Sequence, residues 1–288
     1  MIRVFGTIFA GLLGLAFGSF LNVCLSRWPA GESIVHPRSH CMSCSRTLAW
    51  WENIPLASWL FLRGRCRGCR AWISWRYPLV ELAVGVLWAT VAWQYVPEIP
   101  LLPSTTINSI ESGLALMALL WLLVALAALD AEHQWLPDFL TLPGTFVGLL
   151  VTFFFEARGN SFFRPAHPLR ILLLRVAGIL AAAALILLIR WIYWLIRRRE
   201  GIGLGDAKLM AMLAAWLGLS GALLSFGLGV VLGAIAALVL LVLPSTREDK
   251  TGWAQIKLPL GTFLCVGGIV SSLWGEQIIH AYRRWAGF

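Results

Sequence analysis

The sequence predicts an all-α polytopic membrane protein of about eight transmembrane helices with a small zinc-stapled cytoplasmic loop domain, and three observations carry the prediction. Hydrophobic residues make up 59% of the chain and charged residues 13%. Apolar runs long enough to cross a bilayer recur from end to end. Four of the six cysteines fall in one arginine-rich loop between two such runs. The net charge of +9 does not point to nucleic acid as a partner, because the basic residues cluster at the ends of apolar runs and in that loop. Membrane topology and anionic headgroups require such a placement, so the lipid bilayer is the expected partner.

The first span, Ile8 to Cys24, follows a single arginine, Arg3, and contains Gly-Ser-Phe-Leu-Asn with no small-residue cleavage site, so it reads as retained. Between Arg27 and Arg76 stand eight arginines against two acids, Glu32 and Glu52, which by the positive-inside rule places this loop in the cytoplasm. Pro78 to Tyr95 then leads out, Gly113 to Leu129 back, Phe139 to Phe155 out, and Ile171 to Ile196 back to Arg197-Arg198-Arg199. The outer loop carries Arg158, Arg164 and Arg170, against the rule. Ala207 to Leu243 would measure about 55 Å as one helix, against a hydrocarbon core of about 30 Å. It is therefore expected to be two spans turning near Gly218-Leu219-Ser220-Gly221. Arg247, Lys250 and Lys257 mark another inner loop, and Leu258 to Trp274 is the last crossing, which leaves both termini outside.

Cys41-x-x-Cys44 and Cys66-x-x-Cys69, separated by 21 residues, provide the four thiolates of a closed tetrahedral zinc site in a compartment that disfavours disulfides. With no open position for water, the metal is structural. Cys24 and Cys265 read as small core residues. His36 and His40 read as polar surface residues beside a complete tetrad. Six tryptophans accompany the loop's arginines (Trp28, Trp50, Trp51, Trp59, Trp72 and Trp75), and either headgroup contact or the filling of a small core accounts for them.

Two carboxylates stand at the edges of spans, where an unpaired charge is costly and marks a functional site. Asp130 ends the run from Gly113, and Asp206 opens the next after Gly201-Ile-Gly203-Leu-Gly205. Both belong on the cytoplasmic side. Paired acids divide labour, one keeping a proton while the other takes one from water. Glu132 and Asp138 also lie near Asp130, and spacing alone leaves them open as partners. The glycines complete no phosphate loop, since no strand precedes them and no Lys-Ser/Thr pair follows. They are expected to let an extended chain lie against the turn before Asp206. Lys208 reads as a membrane anchor or a neighbour that tunes Asp206.

Gly-Leu-Gly-Asp206-Ala-Lys-Leu-Met-Ala, Leu-Asp130, and Leu-Pro-Asp138-Phe-Leu-Thr-Leu-Pro together resemble the type IV prepilin peptidases, membrane aspartyl proteases of the GxGD type. Gly18-Ser-Phe-Leu-Asn-Val, the cysteine pairs, Trp51-Glu-Asn-Ile-Pro-Leu, Arg76-Tyr-Pro-Leu-Val-Glu81 and the late Trp-Gly-Glu-Gln extend the resemblance almost end to end. It implies that Asp130 and Asp206 are the catalytic pair and that basic leaders of prepilins and pseudopilins are cut at the cytoplasmic face of the bacterial inner membrane. Members with the cysteine loop usually also methylate the new N-terminus from S-adenosylmethionine, which implicates Glu52 and Gly64. Residues 1–26 would then be the first helix, 27–77 the four-cysteine zinc-binding and methyltransferase domain, and 78–288 the protease. Met42 replaces a proline that often follows the first cysteine, and Leu258-Pro-Leu-Gly-Thr-Phe replaces the usual Pro-Phe-Gly-Pro. Neither departure is expected to touch the aspartates. A peptidase without methyl transfer and a proton-coupled transporter are the alternative readings; inverted repeats, which the chain does not display, would favour the latter.

Overall fold

A computed structural model describes residues 1–97, 103–157, 168–199, 201, 203–242 and 258–287. Arg158 and Arg164 of the expected outer loop, Arg247, Lys250 and Lys257 of the expected inner loop, and Ile202 lie outside the described residues. The described chain is helical: α1 (Ile2–Arg27), a 3-10 turn (Trp50–Asn53), α2 (Ala57–Phe61), α3 (Arg76–Tyr95), α4 (Pro103–His133), α5 (Asp138–Ala157), α6 (Pro168–Arg197), α7 (Leu204–Val242) and α8 (Leu260–Ala286). Six helices (α1, α4, α5, α6, α7 and α8) contain stretches long and apolar enough to cross a membrane. The protein is thus a multi-pass membrane protein. Gly218, with φ 73° and ψ 173°, interrupts α7 at the position where two spans were expected to meet. Counting α7 as two pieces and adding α3, the described residues form eight long helical segments.

The chain divides into two compact units, Met1–Ala125 and Leu126–Phe288, with the boundary inside α4. In the first, α1 and α3 pack backbone to backbone. A Cβ on Gly14 would come 2.8 Å from the Val84 carbonyl, and one on Gly18 would come 2.7 Å from the Cα of Glu81. Small residues permit this approach, which is how helices gain packing energy where no hydrophobic effect drives them together. The first part of α4 joins them: Trp88 Nε1 donates to the Met117 carbonyl at 3.0 Å, and Trp121 Nε1 to that of Phe17 at 3.2 Å. Two polar ties fix the loop to these helices, through Arg27 and Glu81, and a third through Asn22 holds the helices to each other. Arg27, buried at the end of α1, donates to the Ser33 and Pro37 carbonyls. Asn22 donates to the Tyr77 carbonyl at 2.9 Å, and Glu81 accepts the Leu56 amide at 2.8 Å.

In the second unit the beginning of α7 is the centre. Leu209, Met210, Met212 and Leu213 are fully buried, so this segment is apolar on every face because neighbours surround it. Trp216 Nε1 donates to the Gly144 carbonyl of α5 at 2.8 Å, and Ser271 of α8 donates to the Gly221 carbonyl at 2.9 Å. Arg175 of α6 pairs with Glu156 of α5, and its guanidinium lies beside the Gly218 break.

Candidate active site

Asp130 lies three residues before the end of α4, which stops at His133 because Gln134 adopts a left-handed conformation (φ 51°) and returns its amide to the Asp130 carbonyl at 2.8 Å. The chain then turns back, and Leu136 lies against two glycines. A Cβ on Gly205 would come 3.0 Å from Leu136, and one on Gly261 would come 2.8 Å from it. Leu136 of the chain itself thus lies against Gly205 of the glycine turn. Gly201 faces the ring of Tyr193 in the same way, 2.6 Å from an ideal Cβ.

Asp206 is the third residue of α7, and its Oδ2 accepts the Gly203 amide at 3.1 Å. This is the acidic half of a capping box, satisfying an amide that the helix start would otherwise leave unpaired. Asp206 is 7% exposed and Asp130 6%, and the two lie within electrostatic reach of each other. The other acids stand differently. Asp138 pairs with Lys208 at 2.6 Å, which occupies the lysine with that carboxylate, and Glu132 is half exposed beside His133.

The second departure from the Pro-Phe-Gly-Pro pattern touches an aspartate after all. The Thr262 amide donates to Oδ2 of Asp130 at 2.6 Å, and its hydroxyl lies 3.1 Å from both that oxygen and the Ala127 carbonyl. Thr262 is in the first turn of α8, whose free amides and positive dipole end suit a carboxylate. Gly261 makes the approach possible: a Cβ there would stand 2.9 Å from the carboxyl carbon of Asp130. Gly261→Ala should therefore lower cleavage of a leader substrate at least about tenfold by displacing that carboxylate. Gly227→Ala, where a Cβ would meet nothing within 4 Å, should leave the rate unchanged in the same assay.

The cysteines form a second site. The four sulfurs of Cys41, Cys44, Cys66 and Cys69 lie within 4.8 Å of one another, with Cys41 and Cys69 3.8 Å apart. Zinc–sulfur bonds of about 2.3 Å arranged tetrahedrally require edges of about 3.8 Å, so the set fits the metal. Each pair sits in the same backbone frame. The amide of Cys41 reaches the Arg46 carbonyl as that of Cys66 reaches Ala71, and Ser45 and Arg70 both have left-handed φ. Antiparallel bridges His40–Thr47 and Arg65–Trp72 close the two knuckles. The amides of Cys69 and Gly68 pull the Cys66 thiol down to about 6. Cys69 gains from the Ala71 amide, but burial and its neighbouring sulfurs push it up to about 11. Four clustered thiolates repel one another, and a divalent cation is what reconciles them.

Glu52 is buried with both oxygens engaged, Oε1 by Arg46 at 2.5 Å and Oε2 by the Ala49 amide at 2.8 Å. The Arg46 guanidinium holds its carboxyl below the usual range. Gly64 has φ 66°, and a Cβ would come 2.9 Å from the Trp59 ring. Trp59, Trp72 and Trp75 form an aromatic cluster, Trp59 and Trp75 at 4.2 Å between centroids. Trp59 thus fills the small core, while Trp50, Trp72 and Trp75 keep most of their surface exposed.

The family model described as Bacterial Peptidase A24 N-terminal domain matches residues 12–95, and that described as Type IV leader peptidase family matches residues 117–238. A protein of Stutzerimonas stutzeri named prepilin leader peptidase/N-methyltransferase is 36% identical, over 96% of this chain and 93% of its own length. Its namesake in Pseudomonas aeruginosa is 35% identical over the same shares, and that of Myxococcus xanthus 39% over 86% of this chain and 68% of its own. No solved structure matches. Two family models in tandem and relatives aligned over nearly the whole chain lead to one conclusion: the chain belongs to the type IV leader peptidase family.

Proposed function

We propose that the protein cleaves the basic leader from prepilins and pseudopilins at the cytoplasmic face of the bacterial inner membrane and methylates the N-terminus so released. The observation that carries the proteolytic half is that Asp130 and Asp206 are both buried within electrostatic reach of each other, each held through one carboxylate oxygen by an amide at a helix start. One carboxyl takes a proton from the attacking water while the other hydrogen-bonds the scissile carbonyl and supports its developing charge. Burial excludes competing water and strengthens both effects. The placement of arginines supports the cytoplasmic assignment, because the loop between α1 and α3 carries six of them against two acids, Glu32 and Glu52.

Zinc, held by Cys41, Cys44, Cys66 and Cys69, would supply only shape, since four sulfurs leave no position for a reacting group. S-adenosylmethionine would supply the methyl group. Glu52 and Gly64 support methyl transfer by building the loop: the first is committed to Arg46 and Ala49, and the second to a left-handed turn against Trp59. These contacts give both residues a structural part in the loop. Glu52→Ala and Gly64→Leu should lower the ratio of methylated to unmethylated product several-fold at matched extents of cleavage. An unchanged ratio would remove the loop from methyl transfer.

The reading is tested by incubating the purified protein with S-adenosylmethionine and a prepilin that has a basic leader, then weighing the new N-terminus by mass spectrometry. Cleavage at the leader junction with one added methyl group is expected. An intact substrate would refute the assignment. The alternative of a peptidase alone predicts the same cut without the methyl group.

A further inference from the structure

The two aspartates are held unequally. Oδ2 of Asp130 accepts the Thr262 amide at 2.6 Å and also lies 3.1 Å from the Thr262 hydroxyl, whereas Oδ2 of Asp206 accepts one amide, that of Gly203, at 3.1 Å. The amide is the committed donor, because the single hydroxyl proton of Thr262 is shared between this oxygen and the Ala127 carbonyl, each 3.1 Å away. Hydrogen bonds to a charged acceptor are the strong ones, so the short Thr262 amide contact favours the ionised form of this carboxyl over that of Asp206, whose amide contact is longer. Gly261 tightens the arrangement, because backbone rather than side chain lies against the carboxyl group.

We propose that Thr262 is a positioning residue that fixes Asp130 as the ionised member of the pair, with Oδ1 as its basic atom, and leaves Asp206 to carry the shared proton. The proposal rests on the aspartyl protease reading and deepens it. In the first step the water oxygen bonds to the scissile carbon, one water proton passes to Oδ1 of Asp130, and the Asp206 proton passes to the carbonyl oxygen to give a neutral gem-diol. On collapse the carbon–nitrogen bond breaks, Asp130 returns its proton to the departing nitrogen, and Asp206 regains one from a gem-diol hydroxyl. The dyad ends as it began.

A valine at this position would keep the amide hydrogen and lose the hydroxyl, and a proline would have neither to give. The hydroxyl and the amide can therefore be removed stepwise.

The experiment compares steady-state leader cleavage by the full-length protein and its Thr262→Ser, Thr262→Val and Thr262→Pro variants. Serine keeps both donors and should keep kcat within about threefold; valine keeps the shape and the amide but should lose about tenfold in kcat with little change in KM. Proline lacks both donors and should lose about a hundredfold. Equal kcat for valine and wild type, a loss in KM alone, or a serine variant no better than valine would overturn the proposal. Melting temperature is measured on each variant, so that a folding defect in proline leaves the serine–valine comparison decisive. Asp130→Asn and Asp206→Asn are run alongside. If both cleave, the aspartyl reading itself fails; if both are inactive while valine matches wild type, only the role of Thr262 is lost.

Discussion

Asp130→Asn and Asp206→Asn are each expected to reduce leader cleavage by about a thousandfold or more while the protein stays folded and inserted. An amide is nearly isosteric with a carboxyl group and can still accept the hydrogen bonds from Thr262 or Gly203 through its oxygen. It cannot take a proton from water or lend one to a carbonyl oxygen. The two substitutions should therefore spare thermal stability and remove chemistry. Methylation should vanish with cleavage, because no free amine is made. Asp138→Asn is the informative contrast, since that carboxylate is exposed and paired with Lys208, and exposed pairs of this kind contribute little. It should keep most of the activity. Leader cleavage by purified variants, followed by gel shift and mass, checks all three, and near-normal rates in either Asp130→Asn or Asp206→Asn would end the aspartyl mechanism.

The second large effect concerns the metal. Purified protein should contain about one zinc per chain, and Cys41→Ser or Cys66→Ser should lose it, because each removes a ligand from a closed four-sulfur site. Without the metal the two knuckles have no common centre, and the loop between α1 and α3 should become the first region cut by protease. The membrane helices have their own packing and should resist. Retention should also weaken as pH falls, since thiolates bind zinc and protons compete for them. Elemental analysis with limited proteolysis checks this, and a metal-free preparation whose loop remains resistant would overturn it.

What was legible in the sequence was whatever is written in spacing or in length. The four-cysteine cluster is such a case, because two short Cys-x-x-Cys turns carry their own geometry and need only be brought together. The α7 break is another, since a run too long for a bilayer with glycines near its middle has few ways to fold. The pairing of Asp130 with Asp206 was less legible. Spacing left Glu132 and Asp138 open, and the resemblance made the choice. Thr262 and Gly261 were missed altogether, because they meet Asp130 from 132 and 131 positions away and no local pattern records such a contact. The available signal was a Gly-Thr pair at a helix start, where a free amide seeks an acceptor. Glu52 was likewise noticed as a residue but not as the partner of Arg46, since a buried carboxylate reveals its purpose only through its partner.

The interruption at Gly218 leaves the piece of α7 that begins at Leu204 with about 14 residues, roughly 21 Å in length. A hydrocarbon layer is about 30 Å thick, so this piece cannot bridge it unaided. At its far end lies the Arg175–Glu156 pair, where charged groups would be costly in undisturbed lipid. The mismatch is relieved when the surrounding acyl chains shorten or tilt away. The thickness of the surrounding bilayer is thus expected to matter most to the helix that carries Asp206, with leader cleavage faster in lipids of shorter chain length.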